Sequence, residues 1–254
     1  MLLLLPPQDG VHWLLALALN GVLIGLAQRL PLLTRAGWIH AGVLGTLLWG
    51  TLGWPAWLAV VLYLLLGSLV TRLGYRRKLS SGLAEARGGR RGPENVWGSA
   101  LVGTLLALLV PAASPPVQAL LLLGFAASFA AKLADTFGSE IGKRWGRHTV
   151  LITSLGAVAP GTEGAISLEG TAASLVGSGL MALVMLALGL ISGWRAGVLV
   201  LVVGLLATLL ESLIGATLQR RWSWLSNELV NGIQTLLAAA LAIIPVALGL
   251  ISLD

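Results

Sequence analysis

Residues 116–148 read PVQALLLLGFAASFAAKLADTFGSEIGKRWGRH, and no charged side chain precedes Lys132. A helix crossing about 30 Å of hydrocarbon needs roughly 20 mostly apolar residues. The stretch 116–139 therefore predicts a membrane span. Its far end is not lipid-like. On a helix, Lys132, Asp135 and Ser139 share a face at i, i+3 and i+7, with Thr136 and Glu140 beside them. A carboxylate inside a span is costly unless paired, metal-bound or wetted. The stripe reads either as a Lys132–Asp135 ion pair that ties helices together, or as oxygen ligands for a hard cation such as Mg²⁺ shared with substrate phosphates.

The rest of the chain agrees with a membrane setting. Its 254 residues are 57% hydrophobic and 10% charged, with a mean hydropathy of +0.91. Soluble domains carry about a quarter charged residues, so water cannot be the main solvent here. Disorder, collagen-like repeats and a disulfide scaffold are also excluded, and the absence of cysteine removes thiolate catalysis and Cys-ligated zinc. The same length rule predicts eight spans, at about 11–30, 36–53, 56–73, 97–111, 116–139, 168–192, 195–218 and 227–250, with seven as the alternative count. The expected fold is all-α, a polytopic transmembrane helix bundle forming one integral membrane domain over 1–254. The opening residues 1–7 are too short for a span and lack the basic flank and cleavage site of a secretory signal.

Lys and Arg favour cytoplasmic loops. With eight spans and both termini outside, 14 of the 16 basic residues border inner loops: Arg29, Arg35, Arg72, Arg76, Arg77, Lys78, Arg87, Arg90, Arg91, Lys143, Arg144, Arg147, Arg220 and Arg221. Arg195 stays outside and Lys132 lies within a span. Every carboxylate except Asp9 and Asp254 falls on the inner side. The polar chemistry is expected to face the cytoplasm, in a bacterial inner or plasma membrane.

Four polar segments collect there. The basic cytoplasmic loop 74–96 holds Gly-Gly-Arg-Arg-Gly-Pro-Glu-Asn, whose Arg90 and Arg91 suit phosphate oxygens or anionic headgroups. The loop 142–167 carries Lys143, Arg144 and Arg147, then Gly161-Thr162-Glu163-Gly164. Ser167 is a plausible N-cap, and Glu169 follows it. Glu211-Ser212 ends the seventh span. Asn227, Glu228, Asn231 and Gln234 open the eighth and could equally be hydrogen-bonding glue between helices. Loop 159–173 is no Walker A, since no Gly-Lys-Ser/Thr ending occurs in it. Nucleic acid is not an expected partner, because no aromatic platform accompanies the charge. His12, His40 and His148 sit too far apart for a shared metal. The tryptophans mostly flank spans, as interfacial belts do. No internal repeat of the transporter type stands out.

Four strings together carry a resemblance: ADTFGSEIG (134–142), GTEGAISLEGT (161–171), ESLIGATLQ (211–219) and NELVN (227–231). They resemble the transmembrane protein 19 family, whose best-understood members are phytyl-phosphate kinases of tocopherol synthesis. More distantly the arrangement is similar to phytol kinase, dolichol kinase and CDP-diacylglycerol synthase. The resemblance covers residues 70 to 250. It implies transfer of a γ-phosphoryl group from a nucleoside triphosphate, with CTP a candidate donor, to an isoprenyl monophosphate, with Mg²⁺. Carried over by position, Asp135, Glu140, Glu163 and Glu169 would be catalytic, the first three as metal ligands. Lys143, Arg144 and Arg147 would hold phosphates with Arg90, Arg91, Lys132 and Glu211. Gly161, Thr162, Gly164 and Ser167 would complete the phosphate loop, and Asn227, Glu228 and Asn231 would close the site.

Two other readings stay open on the residues. One is a CTP-dependent lipid-alcohol kinase or cytidylyltransferase; the other is an ion-coupled transporter or flippase using Lys132, Asp135 and Glu211. A homo-oligomer is compatible with each.

Overall fold

The structure, a computed structural model, describes residues 5–253. Residues 1–4 of the apolar opening, and Asp254, lie outside the described part. Among the described residues eight helices have 17 residues or more. They are α1 (Gly10–Ala27), α2 (Arg35–Leu52), α3 (Trp54–Arg72), α5 (Pro93–Leu109), α6 (Pro115–Trp145), α7 (Leu168–Ala187), α8 (Trp194–Ile214) and α9 (Asn227–Ala247). A six-residue helix, α4 (Tyr75–Ser80), follows α3.

The boundaries follow from local chemistry. Asp9, Thr34, Ser167 and Ser226 cap α1, α2, α7 and α9 by accepting a backbone N–H of the first turn. Proline stands in the first turn of α3, α5 and α6, where its missing N–H costs nothing. Seven of the helices are long and apolar enough to cross a membrane. The eighth, α2, has similar length, but Arg35, His40 and four glycines dilute it.

Helix α6 is the axis of the molecule. All of Leu122–Ala134 is buried, and α6 packs against α3, α5, α7, α8 and α9. A helix covered on every side must be apolar all round, and the Gly-Phe-Ala-Ala-Ser-Phe-Ala-Ala run meets that demand with small residues. These also bring backbones close: a Cβ on Gly170 of α7 would lie 3.0 Å from the Gly138 carbonyl of α6. Leu14, Leu65, Leu105, Val176, Leu206 and Leu236 stay exposed on the periphery, as a lipid solvent requires. Helix α1 is the outlier. It packs on α2 and buries only Ala16 and Asn20.

Helix and loop extents differ from the apolar spans. Helix α6 continues past the expected span limit at 139 to Trp145, its last turn holding Lys143 and Arg144 against the helix dipole. The loop 142–167 is then largely a hairpin, with β1 (Thr149–Leu151) antiparallel to β2 (Ala165–Ser167) and Val150 opposite Ile166. The fold is thus helical with a small two-stranded ribbon. The 74–96 loop is likewise structured, by α4 and a short 3₁₀ turn at Ala86–Gly89.

Candidate functional site

The charged end of α6 opens into a cavity of about 460 Å³. Helices α3, α5, α7, α8 and α9 and the segments around 85–91 and 160–167 complete its walls. Of the residues singled out from the sequence, Arg90, Arg91, Lys132, Asp135, Glu140, Lys143, Gly161, Thr162, Glu163, Gly164, Ser167, Glu211, Asn227, Glu228 and Asn231 all line it. Chain segments separated by more than a hundred residues meet at this one place.

Each wall is held by its own contacts. The Lys132 ammonium donates to the Asp135 carboxylate and to Asn231 Oδ1 at 2.7 Å, so α6 and α9 are joined beneath the cavity. Below that, Gln234 donates to the Ala131 carbonyl at 3.1 Å and to Thr208 Oγ1 at 3.2 Å, adding α8. The ion-pair and glue readings of Lys132 and Gln234 therefore describe real contacts, and they lie at the cavity floor. Helices α5 and α9 meet where Asn95 Nδ2 donates to Glu228 at 3.4 Å.

The Gly161–Gly164 turn is positioned by backbone geometry. Thr162 N–H donates to the Ala159 carbonyl at 3.2 Å, and Ala165 N–H to the Thr162 carbonyl at 2.9 Å. Gly164 has φ +77° and is pressed against Ala216 and the Ser212 carbonyl at the end of α8, where no side chain would fit. Helix α8 gives way there to a π-turn over Gly215–Gln219, which makes room for the loop.

The charges are mutually arranged. Lys143 Nζ lies 2.8 Å from Glu85. Partial burial would raise the Glu85 carboxyl, but the Lys143 ammonium outweighs it and holds Glu85 below the usual carboxylate value. Glu163 is pushed up: desolvation leads, Lys143 opposes it, and the Asp135 and Glu85 carboxylates add to the rise. Asp135 and Glu163 also act electrostatically on Glu211. These carboxylates share one space with the cations of Lys132, Lys143, Arg90 and Arg91.

Three expected site residues are not in the cavity lining. Nine residues beyond Asp135, Arg144 falls about 180° away around the helix, where its guanidinium lies 4.8 Å from the Trp145 ring centre and packs beside Gly74. Glu169 accepts the Arg147 backbone N–H at 3.4 Å, and so ties the start of α7 to the chain leaving α6. Arg147 is exposed. Glu140 does line the cavity, but its carboxylate is taken by Lys78, which is itself buried.

Lining residues that the sequence did not flag include Tyr63, Glu85, Asn95, Ser99 and Thr208. Tyr63 had one signal: it is one of only two tyrosines, in the middle of an apolar span.

The donor set also bears on a metal. Among the described residues no three His, Asp or Glu side chains form a ready-made cation cage. Mg²⁺ is usually held by one or two carboxylates plus substrate phosphates, keeping some of its waters. Asp135, Glu163 and Glu211 supply oxygen donors of that kind beside the cations of Lys132, Lys143, Arg90 and Arg91, so the residues fit a metal that arrives with a nucleotide.

Residues 18–239 match the family described as integral membrane protein DUF92. The chain belongs to that family. The match takes in every cavity residue named above. The relatives include an uncharacterized membrane protein of Synechocystis, 49% identical over 91% of this chain and 90% of its own length. Protein VTE6, chloroplastic, of Arabidopsis thaliana is 40% identical over 91% of this chain and 71% of its own. An uncharacterized membrane protein of Methanocaldococcus jannaschii is 30% identical over 88% and 90%. No solved structure matches. The DUF92 assignment agrees with the family to which the four motifs pointed, and it makes the chain an integral membrane protein.

Proposed function

We propose that this protein is a Mg²⁺-dependent kinase that transfers the γ-phosphoryl group of a nucleoside triphosphate to an isoprenyl monophosphate. The observation that carries the reading is the single cavity in which Arg90, Arg91, Lys132 and Lys143 face Asp135, Glu163 and Glu211 at one end of an apolar bundle. Membership of the DUF92 family and the similarity to Protein VTE6 support it.

Phosphoryl transfer between two anions needs charge neutralisation and in-line placement more than a strong base. A phosphate oxygen of the acceptor attacks the γ-phosphorus, the bond from γ-phosphorus to the β–γ bridging oxygen breaks, and the nucleoside diphosphate departs with that oxygen. No proton has to be removed from an acceptor that is already an anion. Mg²⁺ supplies charge neutralisation on the nucleotide phosphates when bound. Asp135, Glu163 and Glu211 would hold it together with the nucleotide phosphates, while Glu140 serves mainly to anchor Lys78. Lys143, Arg90 and the 161–164 turn grip the donor phosphates, and Arg91 grips the acceptor. Asn227, Glu228 and Asn231 close the α9 side. The nucleotide comes from the cytosol, so the cavity faces inward.

The test is purified protein in liposomes with nucleoside triphosphate, Mg²⁺ and prenyl monophosphates. The expected product is the diphosphate; addition of a whole CMP, or phosphorylation of the free alcohol only, would replace this reading. Asp135→Asn is expected to lower turnover at least a hundredfold with the protein still folded, though less stable because it loses the Lys132 ion pair, whereas Arg76→Ala on the exposed face of α4 keeps most activity. Equal turnover of wild type and Asp135→Asn would remove the metal site.

A further inference from the structure

A second cavity, of about 430 Å³, lies between α1, α2, α3 and α5. Its walls are aliphatic and aromatic, with Ile24 on α1, Leu44 on α2 and Val60 and Leu64 on α3. Four residues line both this slot and the polar cavity: Tyr63, Arg91, Asn95 and Ser99. A charged chamber and a greasy slot therefore adjoin at a single junction.

Arg91 dominates that junction. Its guanidinium donates to the Tyr63 hydroxyl at 3.1 Å and sits 5.6 Å from the ring centre. Its backbone is fixed to the α1–α2 connection, with N–H donating to the Leu32 carbonyl at 3.2 Å and C=O accepting from Thr34 at 3.0 Å. A Cβ on Gly67 would stand 2.8 Å from the Arg91 guanidinium, so α3 is thinned where the arginine passes. A planar fork held this firmly at the mouth of an apolar slot is suited to a phosphate whose substituent is hydrocarbon. Asn20, Gly45 and Trp57 bound the far end. Trp57 Nε1 donates to Asn20 Oδ1 at 2.9 Å, and the Asn20 side chain fills the space over Gly45. On α2 the slot runs from Trp38 to Leu48, ten residues and about 15 Å of helix.

We propose that this slot holds the single hydrocarbon tail of an amphiphilic monophosphate whose head is held by Arg91, and that the far end at Asn20, Gly45 and Trp57 sets the longest tail accepted. The reaction at the head rests on the kinase reading above; the tail site rests on the adjoining cavities. One slot takes one tail, so a diacyl lipid phosphate is excluded. The slot's volume lies within the range of about 300–1,000 Å³ common to small-molecule sites. Helix α1, so little buried, is the wall past which a tail comes in from the bilayer.

The experiment compares wild type, Ala41→Phe, Val61→Phe and Trp57→Leu on prenyl monophosphates of five, ten, fifteen and twenty carbons. Ala41 and Val61 line the slot part-way along, and Trp57 bounds its far end. Filling the slot with either phenylalanine is expected to raise KM for the twenty-carbon substrate about tenfold or more while leaving the five-carbon one within about twofold. The unchanged short substrate doubles as the folding control. Trp57→Leu is expected to shift the preference toward longer tails. Parallel changes at all lengths, or an unchanged ladder, would overturn the slot. If wild type makes no diphosphate from any substrate, the kinase reading fails and the slot is judged separately. A twenty-carbon monophosphate with a photoreactive tail end should then label the peptide containing residues 41–57, and labelling elsewhere would overturn the proposal.

Discussion

Lys78 and Glu140 are the most deeply buried ion pair among the described residues, with side chains 1% and 3% exposed. Lys78 also donates to the Thr71 carbonyl at 2.8 Å, so one ammonium joins α4, α3 and α6. Removing one member strands the other charge, which costs about 3–5 kcal/mol for a buried pair, whereas replacing both with apolar residues is often neutral. Glu140→Gln is therefore expected to lower unfolding stability in detergent by about that amount, and Lys78→Met combined with Glu140→Leu to recover most of it. If Glu140→Gln kept full stability and lost turnover instead, Glu140 would belong with the carboxylates proposed to hold the metal. At this scale the sequence was legible where a charge stood out against a span, as Asp135, Lys132 and Glu211 do. It was opaque for Tyr63, Asn95, Ser99 and Thr208, because neutral polar groups are ordinary in membrane helices. Lys78 was hidden differently, inside a basic run whose members looked alike.

Among the elements, the turn at 161–164 depends on conformations that side chains resist. Gly164→Val would force a β-branched residue to φ +77° and drive it into Ala216. Left-handed backbone alone costs roughly 1–2 kcal/mol for a residue with a Cβ. The expected result is a melting temperature lowered by several degrees and a larger loss of nucleotide-dependent activity, read in parallel by thermal unfolding and turnover. A variant that melts normally and turns over at the wild-type rate would show that the turn does not touch substrate. The helices were legible because about twenty apolar residues in a row have one main meaning. The ribbon was not, since three-residue strands carry no measurable alternation. The run of α6 past Ser139 was not legible for a related reason: the segment turns polar there but stays helical, and hydropathy marks only the first event.

For the molecule as a whole, sidedness follows from the number of crossings, and the chain's lack of cysteine makes it directly testable. We infer that α2 crosses with its neighbours, because it matches α1 in length and packs between α1, α3 and α5. Eight crossings return both ends of the chain to one side. Gln8→Cys and Gly249→Cys should then react with an impermeant thiol reagent from outside intact cells, and Leu155→Cys, in the ribbon, only after lysis. Reaction of Gln8→Cys and Gly249→Cys from opposite sides would mean an odd number of crossings. The sorting of basic residues made the bundle's polar end legible in advance. The meeting of that end with a separate tail slot was not, because it depends on how α1, α2, α3 and α5 lean together rather than on any one segment.

The burial of α6 on all sides also has a developmental meaning. The stretch Leu122–Ala134 touches protein everywhere in the finished molecule, yet α7, α8 and α9 leave the ribosome after it. Asn231 and Gln234, two of the groups that hold Lys132, arrive last of all. During that interval Asp135, one turn along the same helix, is the countercharge at hand, and it lets the segment wait in the translocon's surroundings without a bare ammonium in oil. In chains arrested before α9, Lys132 keeps Asp135 alone of these partners.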